Sequence, residues 1–290
     1  MRPGMLDDKV VIVTGAGRKR GIGRAIALRL AQDGAHVVVS SQRRDPATFP
    51  ENEKAEGWLG VRSLAEEIRA LGRRAVAVDC DVTRADQVQA LIEAATRELG
   101  GIDGLVNNAG IPSGAGSAPI VEMDDELWYR TVDVNLNGVY LASKAAACAM
   151  IRGGKGGAIV NISSTAGRMG FAEYGAYCAT KFALIGLTQQ MALELAKHAI
   201  RVNCVCPGST DTDMMDGTFR RTAERAGTDF AAIKSGVRGF IPMNRQARPE
   251  GAGRGRGFPP RIGLRVHDRT DVERRRRLED GLIRVERSFG

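Results

Sequence analysis

The glycines of Thr14-Gly-Ala-Gly-Arg-Lys-Arg-Gly-Ile-Gly23 are the first residues in the chain whose spacing could do chemistry. Residues without a Cβ let the backbone approach a pyrophosphate closely, and NH groups at a following helix start offer it a positive dipole end. A β-branched run, Val10 to Val13, precedes the loop and an amphipathic stretch follows it, so a dinucleotide is the expected ligand. An acidic residue closing the second strand would select NAD by binding the ribose 2'-hydroxyl. That place holds Ser40-Ser-Gln-Arg-Arg44. With no carboxylate to repel a 2'-phosphate, and with Arg20, Arg43 and Arg44 nearby to pair with one, NADP(H) is expected to be preferred, NAD(H) being the second choice. The plainer reading leaves these arginines as solvated loop residues. The remaining reactive types do not gather into a site. Cys80, Cys148, Cys178, Cys204 and Cys206 contain no Cys-x-x-Cys, and Cys204 and Cys206, pointing the same way on an apolar strand, read as core filler. His36, His198 and His267 form no cluster, and no metal site is expected.

Alternating elements must position these residues. Val10 to Val13, His36 to Ser40, Ala75 to Asp79, Gly104 to Val106, Ala158 to Ile162 and Arg201 to Val205 read as strands. Gly23 to Asp33, Val61 to Leu71, Ala85 to Leu99, Asp124 to Ile151 and Tyr174 to His198 read as helices. Strand and helix in alternation imply an α/β fold of Rossmann type: a doubly wound parallel sheet, helices on both faces, ligands at the carboxyl ends of the strands. Gln42 to Gly60 reads as a long inserted loop, and Asp211 to Arg248 as a charged, Gly-interrupted region able to act as a mobile lid.

Further motifs make the chain resemble the short-chain dehydrogenase/reductase family over roughly residues 5 to 250. The glycine loop matches the family's Thr-Gly-x-x-x-Gly-x-Gly with two extra residues, which implies cofactor contacts from Gly15, Gly17, Arg20, Gly21, Ile22 and Gly23. Ser41 and Arg43 follow the second strand, Asp81-Val82 matches the adenine-side motif, and Asn107-Asn-Ala-Gly110 implies contacts from Asn108, Ala109 and Gly110. Pro207-Gly208 with Thr210 and Thr212 matches the stretch that holds the nicotinamide. Asn135, Ser164, Tyr177 and Lys181 match the family's catalytic positions. The resemblance implies that Tyr177 is the general acid/base, that Ser164 orients the substrate oxygen, and that Asn135 holds a water in the proton path. Lys181 would also bind the nicotinamide ribose. Tyr177 and Lys181 are four apart on a helix and so share a face, where an ammonium is expected to lower the phenol's pKa. Tyr174 lies seven residues from the lysine, two turns away, and Ser163 is off the family spacing of thirteen residues to the tyrosine.

Composition bounds the rest. In 290 residues, 43% are apolar and 26% charged, ordinary for a soluble globular chain. The longest mainly apolar stretch, Leu141 to Ile151, is too short to cross a membrane, and with no signal-peptide pattern before Val10 a cytoplasmic location is expected. The net charge of +8 is uneven: from Gly251 to Gly290 eleven Arg face six Asp plus Glu, so +5 of it sits in forty residues. Residues 1-250 therefore read as one domain and 251-290 as an anomalous Arg/Gly-rich tail. Arg245-Gln-Ala-Arg-Pro-Glu250 begins the family's ending and Gly251 onward abandons it. Read one nucleotide later, Arg265 to Leu278 can encode Ala-Tyr-Met-Thr-Gly-Gln-Met-Trp-Ser-Val-Asp-Gly-Gly-Leu, the kind of ending the family has, so a frameshift near residue 250 accounts for the break.

The leading expectation is an oxidoreductase acting on a small-molecule carbonyl or secondary alcohol, nearest to the 3-oxoacyl-carrier-protein reductase and butanediol or polyol dehydrogenase types. The resemblance implies a homotetramer or dimer, whose assembly a genuine tail would impair. The alternative is a nucleotide-binding or nucleic-acid-associated protein, carried by Gly253-Arg-Gly-Arg-Gly257 and Arg274 to Arg277. A shifted frame explains that composition without a nucleic-acid partner.

Overall fold

Val10, Val11, Ile12, Val13 and Thr14 are all buried, the signature of a central strand covered on both faces rather than one that alternates between core and water. In this computed structural model, which describes residues 6–112 and 118–253, that strand is β1 (Val10–Thr14). It is followed in chain order by α1 (Ile22–Gln32), β2 (His36–Ser41), α2 (Glu51–Ala55), α3 (Val61–Ala70), β3 (Ala75–Asp79), α4 (Ala85–Leu99), β4 (Gly104–Asn107), α5 (Asp125–Val132) and α6 (Gly138–Gly153). Then come β5 (Gly157–Ile162), α7 (Gly175–Leu195), β6 (Ile200–Val205), α8 (Asp213–Ala226), α9 (Phe230–Gly239) and α10 (Pro249–Gly253). The strands form one parallel sheet in the order β3-β2-β1-β4-β5-β6.

Two cores result. Val11, Val13, Val37 and Val39 pack against Ile26 and Leu30 of α1 and Leu64 and Ile68 of α3. Val10, Ile12 and Val38 face the other way, onto Leu91 and Ile92 of α4 and Ala142, Ala146 and Met150 of α6. Burying one such side chain stabilises the fold by about 1.5–3 kcal/mol, and truncating Ile12 to Ala would cost ~2–5 kcal/mol because a cavity is left as well. Val13 pairs with Val39 on one side and Val106 on the other. The crossovers therefore leave β1 and β4 in opposite directions, and the crevice this opens lies at the strands' carboxyl ends.

Three sequence expectations change. The single helix expected over Asp124 to Ile151 is broken by a π-helical turn, Asp133–Asn137, which carries Asn135 into the interior at 0% exposure. Gln42 to Gly60 is not a plain loop: it folds into a short 3-10 turn (Pro46–Thr48) and α2, and buries Phe49, Glu53 and Trp58. Asp211 to Arg248 contains two ordered helices, α8 and α9, started by side-chain caps from Thr212 to the Met215 NH and from Asp229 to the Ala232 NH. No helix among the described residues is long and apolar enough to cross a membrane. The tail expectations for 251-290 lie outside the described residues beyond the last turn of α10.

Candidate active site

A cavity of about 800 Å³ opens at the carboxyl ends of the strands. Its floor follows from how β1 and β4 end. Thr14 Oγ1 accepts from the NH groups of Asn108 and Ala109, both at 3.1 Å, and Asn108 Nδ2 donates back to the carbonyls of Thr14 (3.0 Å) and Gly15 (2.9 Å). Gly15 sits in the left-handed region at φ 66°, and a Cβ there would lie 2.5 Å from Ala109 Cα. A Cβ on Gly23 would meet Asn108 Nδ2 at 2.5 Å, so glycine lets α1 approach the floor. Gly21 caps α1 without a side-chain hydrogen bond, leaving the first NH groups of an eleven-residue helix for an anion. Cavity, glycine floor and open helix start fit a dinucleotide.

At the outer end of the glycine loop the inserted segment takes over. Trp58 Nε1 and Arg44 Nη2 both donate to the Gly17 carbonyl, at 2.9 and 3.1 Å. Glu53 Oε1 accepts the Lys19 NH at 2.8 Å, and its Oε2 accepts from Arg44 Nη2 at 3.1 Å. Arg44 also lies over the Phe49 ring, 4.2 Å from its centre. Of the residues expected to hold the cofactor, all line the cavity except Arg43, which is exposed; Arg18, Gln42 and Arg44 line it as well. Arg20 reaches the cavity, but its guanidinium is held by Asp211 (3.0 Å), Asp213 (3.2 Å) and Asp216 (2.8 Å). Lys234 of α9 bonds Asp211 and Asp216 too, and the Asp213 NH donates to the Arg20 carbonyl at 3.1 Å. The glycine loop and helices α8 and α9 are thus clasped together.

At the other end, β5 runs into Ser163 and Ser164, and the first turns of α7 bring Tyr177 and Lys181 beside them. Tyr177 is steadied edge-on by Tyr174, which stacks on Phe171. Lys181 is buried, and its Nζ donates to the Ile162 carbonyl at 2.9 Å while lying 5.5 Å from the Tyr177 ring centre. Burial lowers its pKa to about 8. The expected lowering of the tyrosine does not follow: burial pushes the Tyr177 hydroxyl up, opposed by a hydrogen bond with Ser164. Loss of solvent around the phenol sets the direction of the shift. Asn135 stands behind the cavity wall rather than on it, its Oδ1 accepting the Ile111 NH at 2.8 Å and its Nδ2 donating to the Ile111 carbonyl at 3.1 Å. It thereby fixes the chain just after Gly110.

Thr212 lines the cavity while capping α8, and Asp81 accepts from both the NH (3.0 Å) and the hydroxyl (2.8 Å) of Thr83. Cys204 and Cys206 are half-buried rather than core filler. Their mutual interaction lowers the Cys206 pKa to about 6 and raises that of Cys204. Glu53 and Arg18 escaped the sequence reading. Nothing in Glu51-Asn-Glu-Lys54 marks one glutamate as buried, whereas the run Arg18-Lys-Arg20 inside a phosphate loop was a usable signal for Arg18.

Comparison with known proteins decides the family, because the short chain dehydrogenase profile matches residues 9–223. The chain belongs to the short-chain dehydrogenase/reductase family. As a member it is an NAD(P)-dependent oxidoreductase of CH–OH and C=O groups. It is 42% identical over 210 residues to an L-rhamnose 1-dehydrogenase (NAD(P)(+)) of Azotobacter vinelandii, covering 72% of this chain and 76% of that protein. The crystal structure of an actinorhodin polyketide ketoreductase with NADPH matches with a TM-score of 0.74 at 33% identity, covering 84% of this chain and 87% of that one. An NAD+-bound xylitol dehydrogenase matches with a TM-score of 0.73 at 31% identity, covering 84% and 89%. The short-chain dehydrogenase/reductase neighbours therefore include both coenzyme types.

Proposed function

We propose that this short-chain dehydrogenase/reductase uses NADP(H) in preference to NAD(H) to interconvert a small carbonyl compound and its secondary alcohol, with Tyr177 as the general acid/base. The observation that carries this reading is the convergence of Ser164, Tyr177 and Lys181 on one end of a cavity whose other end is a glycine loop. The coenzyme, when bound, supplies or accepts the hydride. Tyr177 gives its proton to the carbonyl oxygen in reduction and takes it from the alcohol in oxidation. Its raised pKa keeps the phenol protonated at neutral pH, the form reduction needs. Ser164 donates to the same substrate oxygen and holds it against Tyr177. Lys181, tied to the Ile162 carbonyl, keeps a cation beneath the tyrosine and binds the ribose. Asn135 sets the backbone of Ile111 and retains donor capacity for a water leading to Lys181. NADP(H) is favoured by Arg18 and Arg44 at the cavity edge and by Ser41, rather than a carboxylate, at the end of β2.

NADPH consumption with a panel of ketones, diketones, sugar lactones and acyl thioesters, run beside Tyr177→Phe, tests the assignment. Turnover by the wild type alone is expected, and equal rates in the two proteins refute it.

Two further expectations belong to the same reading. Exposed Tyr140 on α6 and Phe182 and Leu193 on α7 support a homo-oligomer. Sedimentation velocity reads this directly, and a monomer at micromolar concentration counts against it. Residues 251-290 are read as an out-of-frame ending, supported by β6 standing at the edge of the described sheet. Resequencing the 3' end of the gene decides it, since an ending confirmed in the present frame overturns the idea.

A further inference from the structure

We propose that Glu53, carried by the inserted helix α2, is the positioning residue that gives this enzyme its selectivity for a coenzyme bearing a 2'-phosphate, by holding Arg44 and the Arg18-Lys19 backbone in place at the adenosine end of the cavity. The inference rests on the NADP(H) reading above.

Glu53 is 0% exposed and does not line the cavity, so its carboxylate cannot itself bind a ribose hydroxyl. A buried carboxylate persists only where hydrogen bonds and opposite charges replace water. Its partners all belong to the phosphate side of the site. Oε1 takes the Lys19 NH at 2.8 Å, and Oε2 takes Arg44 Nη2 at 3.1 Å with Arg18 Nη1 at 3.9 Å. One negative charge thus gathers two guanidinium groups, and the local balance stays at +1 from these three residues. Both arginines line the cavity beside Ser41, against whose Oγ a Cβ on Gly17 would lie at 2.5 Å. Arg44 Nη1 is covered and has no hydrogen-bond partner among the described residues, so what this guanidinium offers the cavity is its charge. Burial lowers the pKa of Arg18, and the charge on Arg44 lowers it further, as expected for two cations held closer than one buried anion neutralises. A phosphate dianion placed between them relieves that repulsion with charge-assisted, planar donors.

The inserted segment is built for this task from its own residues. Pro50 caps α2, the Phe49 ring packs against the Arg44 guanidinium, and Trp58 anchors on the Gly17 carbonyl, so Glu53 arrives from a segment locked at both ends. The ion pair between Lys19 and Glu56, the C-cap of α2, ties the segment to the loop a second time.

Calorimetric titration of the full chain with 2',5'-ADP and with 5'-AMP tests the proposal without turnover, the two probes differing in the 2'-phosphate alone. The wild type is expected to favour 2',5'-ADP. Glu53→Gln and Glu53→Asp should each cut that preference by about tenfold, the scale of one charge-assisted hydrogen bond, with 5'-AMP affinity nearly unchanged. Glu53→Asp keeps the charge and moves it back by one methylene, so it separates positioning from simple charge compensation. If the aspartate variant retains the wild-type preference, or the glutamine variant binds 2',5'-ADP more tightly, Glu53 is only a counter-charge and the proposal falls. If both probes fall together with the thermal midpoint, its role is structural and the proposal falls too. A wild type that binds the two probes equally overturns the NADP(H) reading itself, and the proposal with it.

Discussion

The two ends of the cavity are held by different physics. Around Tyr177 and Lys181 the fixing interactions are short hydrogen bonds to backbone: Lys181 to the Ile162 carbonyl, Ser163 Oγ to the Lys181 carbonyl at 2.8 Å, and Asn135 to Ile111. Around the glycine loop charges are added to such bonds: Arg20 meets Asp211, Asp213 and Asp216 in partly exposed pairs across most of the sequence, while buried Glu53 holds Arg44 and the Lys19 NH. Backbone anchors in a buried site are rigid and indifferent to salt, while partly exposed ion pairs are individually weak and screened. On the proposed mechanism the chemistry is set in a stiff frame, and the clasp of the glycine loop on α8 and α9 is left to an adjustable one.

The largest effect should come from the stiff end. Tyr177→Phe removes the proton that the proposed mechanism transfers without touching the ion-pair end, so the rate of NADPH-dependent reduction is expected to fall by about 10²–10⁴. Coenzyme binding, followed by fluorescence titration, should stay within about twofold of the wild type, a change too small to count as a lost contact. A comparable loss of coenzyme affinity would erase the division between the two ends.

Lys181 sharpens the comparison through pH. Its folded pKa of about 8 lies below the ordinary lysine value of 10.5, so the folded protein binds this proton less readily than the unfolded chain does. Stability from this group is therefore absent below pH 8 and rises through pH 8 to 10.5, where the unfolded chain still holds the proton and the folded one has released it. The deficit at neutral pH is about 3 kcal/mol, offset in part by the bond to Ile162. In urea melts without coenzyme, Lys181→Met should be more stable than the wild type at pH 7, with the gap closing as pH rises past 8. A wild type that is the more stable of the two at pH 7 would show that the ammonium is well solvated or fully compensated.

The same contrast explains what could be read from the residue order. Tyr177 and Lys181 share one helix face, Ser164 follows one strand, and Thr14 and Asn108 end two neighbouring strands, so local spacing nearly places them. The apolar strands and their helices were legible for the same reason, each element being defined by its own periodicity. Asn135 was found as a residue, but not the π turn that buries it, because one extra residue in a helical turn leaves the periodicity of Asp124 to Ile151 almost intact. Glu53 and the acidic partners of Arg20 were illegible. Their meaning depends on which distant charges they meet, 34 residues away for Glu53 and Lys19 and 191 to 196 for Arg20 and its aspartates. The direction of the tyrosine pKa is illegible in sequence, which shows a lysine four residues away and hides the desolvation of the phenol.

The smallest effect should come from the adjustable end, at Arg20. Arg20→Ala removes three partly exposed pairs, each about 0.2–1 kcal/mol, but leaves Lys234 on Asp211 and Asp216 and the backbone bond from Asp213 to residue 20. Helices α8 and α9 should loosen from the glycine loop rather than detach, weakening coenzyme binding by roughly three- to tenfold at low salt with the rate at saturation little changed. At 1 M salt, where the Debye length is about 3 Å, the wild type should lose most of that advantage and the two proteins should converge. Persistence of the full gap at high salt would mean that Arg20 acts through a buried, unscreened contact, and the two ends of the cavity would then be built alike.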